Sequence, residues 1–370
     1  MNNSQDLLYT IALTRTPGVG SRWALMLYQK AGSAKNLFEQ RKQVKDLIPG
    51  VPAHTVQALE HFPEYLEEAQ KELEFMDQNH LRGLTFGDED YPCRLRECPD
   101  APLVLYYQGN VNLNAPHVLS LVGTRKCTEY GKDICRTLLR DLAALAPDIL
   151  IVSGLAYGID THAHTEALSN GLNTVGVLAH GLDRIYPYSN RHLAEQMATS
   201  GGLLTEYPRG TEPDAFNFVQ RNRIIAGMAD ATIVVESALK GGSLITAELA
   251  QDYNRDVFAF PGRVTDTYSQ GCNQLIERNG AAPVTSAENL LLQLGWATDK
   301  SKPVQRDLFP DLTEDEKRVV EALQSSEALP LSVLIPQCNM PVAQLTSILM
   351  QLELKGVVKA LVGGTYRLLK

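Results

Sequence analysis

A doubly wound α/β fold is predicted for the centre of this chain, and three observations predict it. Between about 115 and 297, short apolar runs alternate with helical segments: Val118–Val122, Ile149–Val152, Thr174–Leu178, Gly202–Leu204, Thr232–Val235 and Val257–Phe260. The runs are continuous and β-branched or Leu-rich, as strands buried on both faces of a parallel sheet are. Most end in Gly, Ser or Pro, where a strand hands over to a turn. Helices on both faces of such a sheet make a Rossmann-like architecture, extended and mostly parallel. Ligands bind such sheets beyond the C-terminal ends of the strands.

The flanks read differently. Residues 1–80 are expected to form an all-helical domain. Thr16-Pro17-Gly18-Val19-Gly20 and Ile48-Pro49-Gly50-Val51-Pro52 each place a Gly-containing turn between two apolar helical stretches, the pattern of a helix-hairpin-helix or SAM-like unit. Such a turn leaves free N–H groups at a helix N-terminus, where a phosphate can sit. Pro52 replaces the second glycine in the second copy and removes a donor. The central domain is placed at 81–297 and a polar linker at 298–310. Residues 311–370 read as a winged helix. Thr313-Glu314-Asp315-Glu316 caps a first helix, a second starts near Leu331, and Pro341 opens a third carrying Leu345, Ile348, Leu349 and Leu352. Val357–Ala360 and Thr365–Leu368 then form a hairpin about Gly363-Gly364.

Composition narrows the function. The 370 residues fit two or three domains. A net charge of −9 excludes a broadly basic coat but leaves room for a local basic groove. No apolar run reaches the length of a membrane helix, and Met1–Asp6 lacks the basic-then-apolar pattern of a signal peptide, so no membrane partner is expected. The six cysteines form no CxxC pair and read as reduced thiols, which places the chain in the cytoplasm.

Chemistry concentrates at the strand ends. Val122-Gly123-Thr124-Arg125, Val152-Ser153-Gly154-Leu155 and Lys240-Gly241-Gly242-Ser243 each deliver small residues toward a helix N-terminus, which suits anions. Three such turns on one sheet edge can line a run of phosphates. Arg125 follows the first turn, and Arg221-Asn222-Arg223 is expected at the start of a helix; arginine grips phosphate bidentately and stacks on bases. Tyr186-Pro187-Tyr188-Ser189-Asn190 adds aromatic faces.

Several enzyme classes are excluded by missing patterns. There is no GxxxxGK[ST], no GxGxxG after the first strand and no GxSxG, so no ATP loop, dinucleotide cofactor or nucleophile elbow is expected. His162 and His164 lie two apart, on different sides of a helix, and no metal is expected there. The winged-helix region holds seven acids against six bases, and its third helix carries no Lys or Arg, which favours protein contact over groove reading.

These motifs resemble one family. Leu121–Arg125, Ser153–Asp160, Gly181-Leu182-Asp183 with Tyr186-Pro187 and Asn190, Arg221–Gly227, Gly242–Ala247, Phe260-Pro261-Gly262 and Gly271-Cys272-Asn273 occur in the order seen in the DNA-processing protein A (DprA/Smf) family. The resemblance implies a cytoplasmic homodimer, not an enzyme and without cofactor, that binds single-stranded DNA without sequence preference. It also implies protection of incoming DNA and loading of the RecA recombinase in natural transformation. The site residues it implies, taken with the strand-end turns, are Gly123, Thr124, Arg125, Ser153, Gly154, Tyr188, Asn190, Arg221, Asn222, Arg223, Gly242 and Ser243. Tyr188 stands where many members carry a basic residue. Two other classes compete. The Gly241-Gly242-Ser243 loop with Thr246 and Glu248 is similar to part of the phosphate loop of nucleotide phosphoribohydrolases, and the winged helix alone would suit a structural adaptor.

Overall fold

The computed structural model describes residues 2–296, 312–324, 328–355, 357–361 and 364–368. It divides into two compact units, residues 1–297 and 298–370. The linker expected at 298–310, and Gly363 of the expected hairpin turn, lie outside the described residues.

The first unit is built on one nine-stranded sheet. Its strands are β1 (Arg82–Thr85), β2 (Val104–Gly109), β3 (His117–Val122), β4 (Ile149–Ser153), β5 (Asn173–Val177), β6 (Gly202–Thr205), β7 (Ala231–Val234), β8 (Asp256–Ala259) and β9 (Ala282–Pro283). Their spatial order is β1-β2-β6-β5-β4-β3-β7-β8-β9. From β6 to β9 every pairing is parallel, and the six strands expected from the apolar runs lie within one residue of those runs. Strands β1 and β2 add an antiparallel edge beside β6 that the period-based reading omits.

Alternation along the strands makes two cores. Val118, Val122, Leu150, Val152 and Val234 face one side and meet Ile224, Ile225, Ala247 and Ala250. Leu119, Leu121, Ile149, Ile151 and Ile233 face the other and meet Leu138, Leu142, Ala163 and Leu290. At about 25 cal/mol per Å² of apolar area removed from water, these two layers supply most of the drive to fold. Between β3 and β7 the hydroxyls of Ser120 and Thr232 bond each other at 2.8 Å, so this buried polar pair is satisfied.

Helices fill the N-terminal region from Asn2 to Gln78. They are not a detached body: Ile11, Leu27, Leu37 and Phe62 share a core with Leu103, Val104 and Tyr106 of the sheet edge. The first Gly-rich turn joins Asn2–Arg15 to Ser21–Ala31, with Gly18 at φ +85°. That conformation suits glycine because a Cβ would crowd the backbone.

The second unit holds helices Glu314–Gln324, Leu331–Cys338 and Val342–Leu354, and a sheet ordered β10 (Leu329–Pro330), β12 (Thr365–Leu368), β11 (Val358–Leu361). Three helices and an antiparallel wing make a winged helix. Its first helix carries a capping box: Glu316 accepts from the Thr313 N–H at 2.8 Å, and Thr313 Oγ1 accepts from the Glu316 N–H at 3.3 Å. Strand β10 is too short to show in the sequence pattern.

Candidate nucleic-acid interface

Strand order reverses between β3 and β7, so the turns that follow these two strands diverge and leave a crevice. A cavity of about 310 Å³ lies there. Gly123, Thr124 and Arg125 line it after β3, Ala156 and Asp160 after β4, and Gly241, Gly242, Ser243 and Thr246 after β7. The helix Ala215–Met228 closes one side with Phe218, Arg221 and Asn222. Two of the three small-residue turns thus put their own residues on this surface.

Close backbone approach shapes the crevice. A Cβ on Gly123 would lie 2.4 Å from Ile159 Cγ1, and one on Gly158, which has φ +78°, would lie 2.2 Å from the Thr124 carbonyl. The first two turns therefore pack main chain against main chain, and the Ile159 N–H donates to the Thr124 carbonyl at 3.2 Å. Gly242 faces open space at the first turn of the helix Gly242–Asp252, whose leading N–H groups have no partner inside the helix.

The charge is local and positive. Arg125, Lys126 and Lys240 are exposed and, among the described residues, form no ion pair. The Arg125 guanidinium sits 4.8 Å from the Phe218 ring centre. Phe218 also lies 5.7 Å from the Arg221 guanidinium and 5.7 Å from the Tyr186 ring. One aromatic ring thus holds the exposed arginine upright, and contacts of this kind are worth about 0.5–1 kcal/mol at exposed sites.

Arg221 forms the floor. It is buried, and Nη1 donates to the Gly154 carbonyl at 2.5 Å and to the Val177 carbonyl, while Nε has no hydrogen-bond partner among the described residues. Burial lowers its pKa to about 10, and the nearby Asp160 opposes that shift. Burial likewise raises the Asp160 carboxyl above its ordinary value, with Arg221 and the Ala156 N–H acting against the rise. Gly154 makes this arrangement possible, since a Cβ there would lie 2.4 Å from Arg221 Nη1 and 2.6 Å from Asp160 Oδ2.

Five expected residues, Ser153, Gly154, Tyr188, Asn190 and Arg223, are not on the crevice wall. Arg221 and Arg223 sit in the middle of their helix, not at its start, because Asp214 caps it seven residues earlier and accepts from the Asn217 N–H at 2.8 Å. Two residues apart on a helix face different directions. Arg223 accordingly turns away to Glu206 and the Asp100 carbonyl. Ser153 is buried and donates to the Leu121 carbonyl at 2.6 Å. Asn190 is buried and donates to the Leu155 carbonyl and Thr161 Oγ1, both at 2.9 Å, bracing a turn in which Leu155 has φ +59°. Tyr188 is 74% exposed, with Arg191 6.0 Å from its ring, but does not line the cavity. Ser243 lines it while donating to Ser237 Oγ at 2.9 Å.

Phe218 and the rim residue Val219 lie outside the family motifs, whereas Asp160, Ile245 and Thr246 fall within them but were not among the expected site residues. A signal for Phe218 was present, because it lies three residues before Arg221 on one helix and so shares its face. Glu248, the carboxylate of the hydrolase alternative, does not line the cavity, and Asp160 there is already engaged with the Ala156 N–H at 3.2 Å.

Residues 82–295 match the DNA recombination-mediator protein A family, and residues 305–364 match the DprA winged helix domain. The chain belongs to the DprA/Smf family. Protein Smf of Synechocystis is 32% identical, over 99% of this chain and the full length of that protein. DNA processing protein DprA of Streptococcus pneumoniae is 42% identical over 56% of this chain and 72% of its own. Among solved structures, DprA of Streptococcus pneumoniae superposes with a TM-score of 0.67 at 34% identity, covering 77% of this chain and 97% of that one. DprA of Helicobacter pylori, described for its single-stranded DNA binding mode, gives 0.52 at 32% identity over 58% of this chain and 95% of its own. In DprA/Smf terms, the sheet and its crevice fall in the recombination-mediator region and the C-terminal unit in the winged helix.

Proposed function

We propose that this chain binds single-stranded DNA in the β3/β7 crevice without sequence preference. One observation carries the reading: Arg125, exposed and without an ion pair among the described residues, stands between a glycine turn and the open N-terminus of helix Gly242–Asp252 at the switch point of the sheet. Guanidinium and N–H groups recognise phosphate and carry no sequence information. Phe218, Val219, Tyr186 and Ile245 at the rim supply apolar faces for unpaired bases, and base–aromatic stacking is worth roughly 1–3 kcal/mol per base. Bases in a duplex hide those faces, so single strands are preferred.

The Helicobacter pylori neighbour, solved for its single-stranded DNA binding mode, supports single-stranded DNA as the ligand. From family membership we further propose a cytoplasmic homodimer that is not an enzyme, protects incoming single strands and loads RecA onto them during transformation. The test is a strand-exchange assay in which single-strand-binding protein blocks RecA. Added chain is expected to restore exchange, and the Arg125→Ala chain is not. Restoration by both proteins would remove the crevice from the loading function.

A further inference from the structure

The geometry points to Glu236 as a built-in anion that fills the helix N-terminus after β3 and positions the Arg125 loop. Glu236 follows β7, is 2% exposed and, among the described residues, has no ion-pair partner. Such a carboxylate is costly unless hydrogen bonds replace its water. Here Oε2 accepts from the Thr128 N–H at 2.9 Å and Oε1 accepts from the Thr128 hydroxyl at 2.5 Å. Thr128 is the cap of helix Glu129–Leu145, so the carboxylate also meets the positive end of that helix. The cradle is shaped for it: a Cβ on Gly131 would lie 2.2 Å from Oε2.

This is the helix terminus at which dinucleotide-binding sheets hold a diphosphate. In this chain the place is taken by the protein's own carboxylate, so a strand's phosphates are turned toward Arg125 and the helix at Gly242. The same residue clamps the loop at both ends. Its carbonyl accepts from the Thr124 N–H at 2.8 Å, and its side chain holds Thr128. Arg125 and Lys126 lie between the two clamps. Glu236 touches no DNA in this account; it is a positioning residue, and its effect on DNA rests on the reading proposed above.

Two readouts on the full chain test it. The first needs no DNA: in Glu236→Ala, the Thr128 amide exchanges with deuterium at least tenfold faster than in wild type, and Glu236→Gln, which keeps an acceptor for Thr128, restores most of the protection. The second is oligothymidine affinity against salt. Glu236→Ala binds at least fivefold more weakly with a slope shallower by about 0.7, the loss of one phosphate contact. Acetate added at constant ionic strength recovers both affinity and slope. If the alanine variant does not fold, Thr128→Val removes the hydroxyl half of the side-chain clamp, keeps the backbone N–H bond of residue 128, and shows a smaller rise in exchange at the same amide. Wild-type exchange and slope in the folded variant would overturn the proposal. A wild-type chain that binds no oligothymidine would overturn the DNA reading alone, with the exchange comparison still deciding the clamp.

Discussion

Arg125 and Arg223 are both arginines in family motifs, but their surroundings give them different work. Arg125 is exposed over Phe218, whereas Arg223 is buried against Glu206. Arg125→Ala is therefore expected to weaken single-strand binding at least tenfold, about 1.4 kcal/mol, with an unchanged urea midpoint. Arg223→Ala leaves a buried carboxylate without its partner and is expected to cost about 3–5 kcal/mol of stability. Anisotropy and urea titration on the same samples separate the two effects. His164 gives a pH signature. Thr174 donates to the Ile151 carbonyl and accepts from His164 Nδ1, so Nε2 is the bare, unpartnered nitrogen. Burial holds its pKa down to about 3, below the ordinary 6.5. Between those values the unfolded chain binds a proton that the folded chain refuses. Stability is then full above about pH 6.5 and falls toward pH 3, with a slope of about 1.4 kcal/mol per pH unit. His164→Gln should flatten that acid limb in urea midpoints measured from pH 4 to 7.5. The position of Arg125 on the crevice wall was legible because it directly follows a small-residue turn at the C-terminal end of a strand, where such sheets open their crevice. The inward turn of Ser153 and Asn190 was not legible, because burial of a small polar side chain is decided by tertiary neighbours.

At the scale of elements, the helix Ala215–Met228 sets the crevice wall, presenting Phe218 and Asn222 to the crevice above the buried Arg221 and packing Ile224, Ile225 and Met228 into the core. Its register depends on Asp214, so Asp214→Ala is expected to cost about 1 kcal/mol and to weaken DNA binding as the first turn frays. A variant with wild-type thermal midpoint and affinity would contradict that dependence. Six of the parallel strands were legible because each is a continuous, mostly buried apolar run, whereas β9, two residues long and partly exposed, was not. Strands β1 and β2 were not, since β1 is four residues long and Tyr106 and Tyr107 of β2 pair into the sheet through an edge that no period announces. The third winged-helix segment, Val342–Leu354, exposes Val342, Met350 and Leu354 and carries no cation. Met350→Glu should consequently leave oligothymidine affinity within twofold of wild type, and a larger loss would bring this helix into the DNA site.

Across the whole molecule, a net charge of −9 and a cationic crevice coexist because the free cations at the site are few and local while the acids are spread. No single helix among the described residues is long and apolar enough to cross a membrane. Few phosphate contacts predict a shallow but definite salt dependence. Three or four contacts give a slope of roughly −2 to −3 in log K against log salt on a single strand. The measurement that tests this most directly is fluorescence anisotropy of labelled oligothymidine, alone and annealed to its complement, across a series of salt concentrations. Tight binding to the single strand, weak binding to the duplex and a slope near −2 to −3 that loses about 0.7 in Arg125→Ala are the expected results. Equal binding to both forms, or a slope unmoved by loss of Arg125, would contradict a phosphate-lined crevice at the switch point.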